Sequence, residues 1–154
     1  MKKYLVKDYM KNKVVSLHPE QTVKEAIKTM LEHKTNGLVI VDQHNKVIGI
    51  LSSWDIIAYL VPDYLEEDKH LAAFESGDVF AERIKEVKDD PVSKFMSHHV
   101  HSIKPEHSLM EAATLLSEFQ IRQLPVVDED GYLIGYLNRT DIKRAIGEVL
   151  NIKE

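Results

Sequence analysis

Apolar positions along the chain fall into two kinds of run, and the two kinds follow one another in the same order twice. Val14 to Leu17 and Val100 to Ile103 read as short extended segments, each running toward a proline, Pro19 or Pro105. A proline pushes the residue before it out of helical geometry, so a helix has to start later. Thr22 with Glu25, and Ser108 with Glu111, have the spacing of a capping box, in which a hydroxyl accepts from a first-turn amide and a carboxylate reaches back. Behind those caps Val23, Ala26, Ile27, Met30 and Leu31 recur at helical spacing, as do Leu109, Ala112, Ala113, Leu116 and Phe119. Both stripes predict a helix with one face in a core. Two apolar runs follow in each half. Leu38 to Val41 and Val47 to Leu51 flank Asp42-Gln43-His44-Asn45, while Leu124 to Val127 and Tyr132 to Leu137 flank Asp128-Glu129-Asp130-Gly131. Each set predicts strand, turn, strand. A last helix starts near Ser52 or Asn138, carrying Ile56, Ile57 and Leu60, or Ile142, Ala145 and Ile146. Each unit therefore reads β-α-β-β-α.

The two units are one sequence written twice. Residues 6 to 60 align with residues 92 to 146 at a constant shift of 86, without a gap, and 17 of the 55 positions are identical. Unrelated sequences of ordinary composition agree at roughly one position in fifteen. Self-similarity on this scale marks a duplicated structural unit. The expected organisation is a first repeat over 1–60, an acidic helical connector over 61–91, and a second repeat with a C-terminal tail over 92–154. Tyr64, Leu65, Leu71, Phe74, Val79, Phe80, Ile84 and Val87 make the connector too apolar for a solvated linker, and predict one or two amphipathic helices. Those helices serve to connect, to cover the module, or to offer a dimer surface.

Composition narrows the chemistry. With 154 residues, 44% of them hydrophobic, the chain can bury one compact core or two small ones packed together. It has no cysteine, which excludes disulfides and thiolate metal sites and suits a reducing, cytoplasmic location. The basic start has no apolar run of signal-peptide length, and no segment approaches a membrane span, so a soluble chain without membrane contact is expected. Residues 61 to 90 hold ten acidic and four basic side chains, so most of the formal charge of −5 sits in the connector. An acidic total argues against nucleic-acid binding, while the near-neutral remainder leaves room for a site for a phosphorylated ligand. No phosphate-binding loop, dinucleotide glycine fingerprint, cysteine nucleophile or nucleophile elbow is present, so no enzyme activity is expected.

The stretch Ile121 to Ile142, IRQLPVVDEDGYLIGYLNRTDI, resembles the signature half of a CBS domain. With the first copy included, the resemblance covers nearly the whole chain apart from the acidic middle. It implies a mixed α/β fold of the α+β type: two pseudo-twofold-related repeats packed together as a Bateman module, with ligand clefts between them and an acidic helical insertion. It also implies a regulatory sensor of an adenosine-containing ligand (AMP, ADP, ATP or S-adenosylmethionine), with no cofactor required. Homodimerisation through the helices of the repeats is implied as well, and the regulated partner stays unnamed.

In GILSSWD (Gly49 to Asp55) and GYLNRTD (Gly135 to Asp141) a strand ends where a helix begins, so free amides and the positive end of the helix dipole meet at one point. An anion is at home there. Ser52 and Asn138 can hydrogen-bond a phosphate or sugar, and the resemblance assigns Asp55 and Asp141 to the ribose hydroxyls. It places the adenine slot at Val14, Val15, Val39 and Ile40 in one cleft, and at Val100, Pro125 and Val126 in the other. The same pairs, Ser52 with Asp55 and Asn138 with Asp141, are equally good helix caps with no ligand at all. The copies also depart from each other. Val39 stands where the family has a proline, and Asn138 where it has a hydroxyl, with Arg139 beside it to supply a cation. Two unequal clefts are expected. Trp54 either stacks on a base or packs as a half-buried tryptophan.

Two further readings stay open. The module can act by dimerising, its clefts vestigial. Alternatively His98, His99 and His101, with His107 nearby, can respond to a metal, although no carboxylate at suitable spacing completes a site. His99 or His101 can instead face a ligand phosphate.

Overall fold

A computed structural model describes residues 3–74 and 77–153. A short helix α1 (Val6–Tyr9) precedes β1 (Ser16–Leu17), α2 (Val23–His33), β2 (Gly37–Val41), β3 (Val47–Ser52) and α3 (Ser53–Leu60). The connector follows as α4 (Asp63–Glu67), a 3-10 segment (Lys69–Phe74) and α5 (Gly77–Val87). The second repeat has a 3-10 turn (Val92–Lys94), α6 (Leu109–Glu118), β4 (Gln123–Val127), β5 (Leu133–Asn138) and α7 (Arg139–Val149).

The capping boxes expected from Thr22 with Glu25 and from Ser108 with Glu111 are both formed, at α2 and α6. The hairpin turns match as well. Asp42 accepts from the amides of His44 (2.8 Å) and Lys46 (3.0 Å), and Asp128 from those of Asp130 and Tyr132 (2.9 Å each). These amides, Lys46 first, hold the Asp42 carboxyl below its usual range. Each turn closes through a residue of positive φ, Asn45 (65°) in one copy and Gly131 (88°) in the other.

The first strands differ between copies. Ser16 and Leu17 pair in parallel with Val39 and Ile40, but the second copy keeps only an isolated bridge, Ile103 to Val126. Pro125 is the reason. It occupies the place of Val39 and has no amide proton to donate, so the rung before Ile103 cannot form. Two apolar residues that spacing assigned to the core lie outside it: Leu31 and Phe119 are exposed. Leu31 sits about a quarter turn round from the buried Val23, Ala26 and Met30. Phe119 is the C-cap of α6, where the chain turns away.

There are two main cores, and each takes residues from both repeats. The first gathers Leu38, Ile40, Leu51 and Ile56 with Val87, Val92 and Met96. The second gathers Leu124, Val126, Leu137 and Ala145 with Val6 and Tyr9. Each fully buried Leu or Ile contributes about 1.5–3 kcal/mol. The lead segment of each repeat thus crosses to the core of the other. The hydrogen bonds of the two crossings correspond pair by pair. Val6 N donates to His107 O (2.8 Å), as Val92 N does to Gln21 O (2.7 Å). Lys11 and Tyr136 exchange amide bonds (2.8 and 3.0 Å), as Ser97 and Ile50 do (2.8 and 3.0 Å). Every partner is shifted by 86, which is what a twofold relation between the repeats requires. Lys46 bridges Tyr132, its own counterpart, and Val39, Val41 and Leu133 form a smaller core between the hairpins.

The connector is tied to the end of α3. Arg83 donates to Tyr59 O through Nη2 (2.6 Å) and Nε (3.2 Å), with its guanidinium 4.8 Å from the Tyr59 ring centre. One otherwise unsatisfied carbonyl of that helix end is thereby paired.

Candidate functional site

The start of α3 is shaped by its cap. Ser52 N donates to Asp55 Oδ2 (2.8 Å) and Asp55 N to Ser52 Oγ (3.3 Å), and the Ser52 hydroxyl also reaches Oδ2 (3.2 Å). The capping role is therefore real, and it uses one carboxylate oxygen. Asp55 Oδ1 has no partner among the described residues.

Around this helix start opens a cavity of about 660 Å3. Ser52, Ser53, Trp54 and Asp55 form one side, with Ile50 and Ile57 as apolar patches. Ser97, His99 and His101 come from the segment that crosses over from the second repeat, and Gln120 to Gln123 from the approach to β4. This size lies within the range of small-molecule sites. Trp54 is 69% exposed, so it is not a packing tryptophan; it stands at the cleft wall with a free face. His101 stacks on Phe119, with ring centres 3.7 Å apart and planes at 18°. Among the described residues no three His, Cys, Asp or Glu side chains come together to hold a metal ion.

The start of α7 repeats the cap and then departs from it. Asn138 N donates to Asp141 Oδ2 (2.9 Å) and Asp141 N to Asn138 Oδ1 (3.1 Å). Lys11 Nζ lies 3.0 and 3.2 Å from the two carboxylate oxygens, and Arg144 Nη2 lies 3.0 Å from Oδ1. Asp141 is completely buried. Tyr136, which stands where the first copy has Ile50, donates its hydroxyl to Gln123 Oε1. Burial pushes that phenol well above its ordinary range, so it stays protonated.

The residues singled out in the sequence are only partly gathered. Ser52 and Asp55 line the first cleft. Val14 and Val15 are half-buried; Val39 packs between the hairpins and Ile40 in the first core, so neither side chain faces the cleft. Val100 is half-buried, while Pro125 and Val126 are buried. Asn138 and Asp141 meet at the second helix start, whereas Arg139 faces a groove of about 510 Å3 between α6 and α7 that adjoins the first cleft, sharing Gln120, Ile121 and Arg122 with it. Sequence reasoning missed Asn36 and Gln120 to Gln123. The duplication carried a signal for them, since Asn36 and Gly37 are the counterparts of Arg122 and Gln123, but only the crossing shows that both strand starts face one cleft.

Comparison with known proteins agrees with this architecture. The family model described as CBS domain matches residues 6–62 and 92–148. CBSX2 of Arabidopsis thaliana, a CBS-pair protein, superposes with a TM-score of 0.80 at 26% identity, covering 99% of this chain and 100% of that one. A structure of CBSX2 in complex with AMP gives 0.73 at 28% identity, over 95% and 98% of the two chains. The CBS domain pair of protein MJ0100, in complex with 5-methylthioadenosine and S-adenosyl-L-methionine, gives 0.69 at 27% identity, over 93% and 99%. The L-aspartate semialdehyde sulfurtransferase of Methanocaldococcus jannaschii is 27% identical over 93% of this chain, which spans only 23% of that protein. Among the described residues no helix is long and apolar enough to cross a membrane.

Proposed function

Because this chain belongs to the CBS domain family, we propose that it is a regulatory module, working in the cytoplasm and without catalysis of its own, that senses an adenosine-containing ligand in the cleft at the start of α3. The observation that carries this reading is the open carboxylate oxygen of Asp55 at a helix N-terminus inside a cleft of about 660 Å3. A ribose offers hydroxyl donors to that oxygen. Ser53 N is held by Asn36 O (2.8 Å) and Asp55 N by the cap, so a phosphate here is favoured by the Trp54 amide and the positive end of the α3 dipole, by the Ser53 hydroxyl, and by His99 across the cleft. The adenine ring has Ile50, Ile57 and the exposed face of Trp54 to lie against. Contributions from Val39 and Ile40 are confined to backbone groups, since their side chains are buried elsewhere. Ligands of this class occupy the related pairs of CBSX2 and MJ0100.

Sensing follows from where the walls come from. The cleft joins α3 to a segment of the other repeat, so a ligand that fits one relative arrangement better shifts the module toward it, by no more than its difference in affinity for the two.

Trp54 is the chain's single tryptophan, so intrinsic fluorescence reports this cleft directly. Titration with AMP, ADP, ATP, S-adenosylmethionine, 5-methylthioadenosine and cyclic dinucleotides should give saturable binding by at least one, with a change in that fluorescence. Asp55→Asn, which preserves shape and removes the charge, should weaken it about 10- to 100-fold, the range for hydrogen bonds to a charged group. Absence of binding at millimolar ligand would refute the reading, and unchanged affinity in Asp55→Asn would refute the ribose assignment.

A further inference from the structure

The two helix starts look alike in sequence, yet one carboxylate is open and the other is fully engaged. Lys11 approaches both oxygens of Asp141 (3.0 and 3.2 Å), and Arg144 one of them (3.0 Å). The counterparts of Lys11 and Arg144 in the first copy are Ser97 and Ala58, neither of which carries a charge. The difference extends along the crossing segment. Arg144 also donates to Tyr9 O (3.1 Å), and Tyr9 donates its hydroxyl to Glu148 (2.7 Å). In the first copy the counterparts of Tyr9 and Glu148 are Phe95 and Pro62, which cannot form such a bond. Tyr136 adds bulk where the first cleft has Ile50.

We propose that Lys11 and Arg144 are resident occupants of the second ribose position, an ionic latch that closes this cleft to nucleosides and leaves the module with one adenosine site per chain. The inference rests on the reading of the first cleft given above. A ribose has two neutral hydroxyl donors to offer. To reach Asp141 it must displace an ammonium that spans both carboxylate oxygens, leaving a buried charge with weaker partners. Losing even one such charged bond lowers affinity about 10- to 100-fold. The same latch binds the α1 segment to α7. The corresponding segment over the first cleft, Val92 to His101, meets α3 through the edge-on Phe95–Tyr59 ring contact (5.7 Å) rather than through a charged tie to Asp55.

The test is calorimetric stoichiometry with AMP, using the full chain and the Lys11→Ser/Arg144→Ala variant, which gives the second copy the residues of the first. The native chain should bind one AMP and the variant two, with Trp54 fluorescence following only the site that both forms share. Asp55→Asn with the latch intact should bind AMP about 10- to 100-fold more weakly and at no second site, a result that does not depend on the double variant folding. Two sites in the native chain, or a site in Asp55→Asn whose filling leaves Trp54 fluorescence unchanged, would overturn the latch. One site in both native and double variant would overturn it while sparing the reading of the first cleft. No site in the native chain with one in the variant would do the reverse, and no binding to either form would overturn both.

Discussion

Gly49 and Gly135 show at residue scale why the two repeats need each other. A methyl group added at Gly49 would lie 2.7 Å from Met96 Sδ and 3.1 Å from Ser97 O, and one at Gly135 2.6 Å from Met10 Sδ and 3.2 Å from Lys11 O. Each glycine is the seat on which the crossing segment of the other repeat rests. Gly49→Ala should therefore cost about 1–3 kcal/mol, as overpacking of a tight contact does, and lower the thermal midpoint. Gly147→Ala, in α7 with open space around it, should stabilise by about 0.5–1 kcal/mol in the same assay. A fall for Gly147→Ala, or none for Gly49→Ala, would contradict this account. Duplication made Asp55 and Asp141 legible from sequence alone, because their helix-start context occurs twice. The fate of Asp141 was not legible. Its partner Lys11 is 130 positions away, and lies there only because the lead segments cross.

Helices α2, α6 and α7 each keep a large apolar side chain in solvent: Leu31, Met110 and Ile146 are 74%, 75% and 54% exposed. Scattered apolar residues are ordinary on a surface, but a set shared by the corresponding helices of both repeats suits a second copy of the chain. Light scattering should give twice the 17.7 kDa chain mass at micromolar concentration, and Met110→Lys/Ile146→Lys should return it to the single-chain value. A single-chain mass for the native protein would rule out pairing through these faces. Element identity was readable from period and caps, since hydrophobic spacing and capping boxes are local properties. Two boundaries were not. The first strand of the second copy is cut short by Pro125, and the exposed ends of the helix stripes, Leu31 and Phe119, depend on which neighbour covers each face.

On the scale of the whole molecule, the duplication announced two units, but the units of sequence are not the units of packing. The first core is completed by Val87, Val92 and Met96, and the second by Val6 and Tyr9. A fragment ending at residue 74 should therefore lack cooperative unfolding and near-ultraviolet dichroism, whereas one ending at residue 100 should gain partial order from the returning segment. A cooperative transition in the shorter fragment would show that one repeat suffices. The crossing also orders events in time. A nascent chain cannot close its first core until residue 96 has left the ribosome, and residues 6 to 9 must wait for a partner more than a hundred positions downstream. Contacts so distant along the chain slow folding, so Val6 to Tyr9 is a stretch that must stay unpaired for most of the synthesis of the module and most needs shielding then.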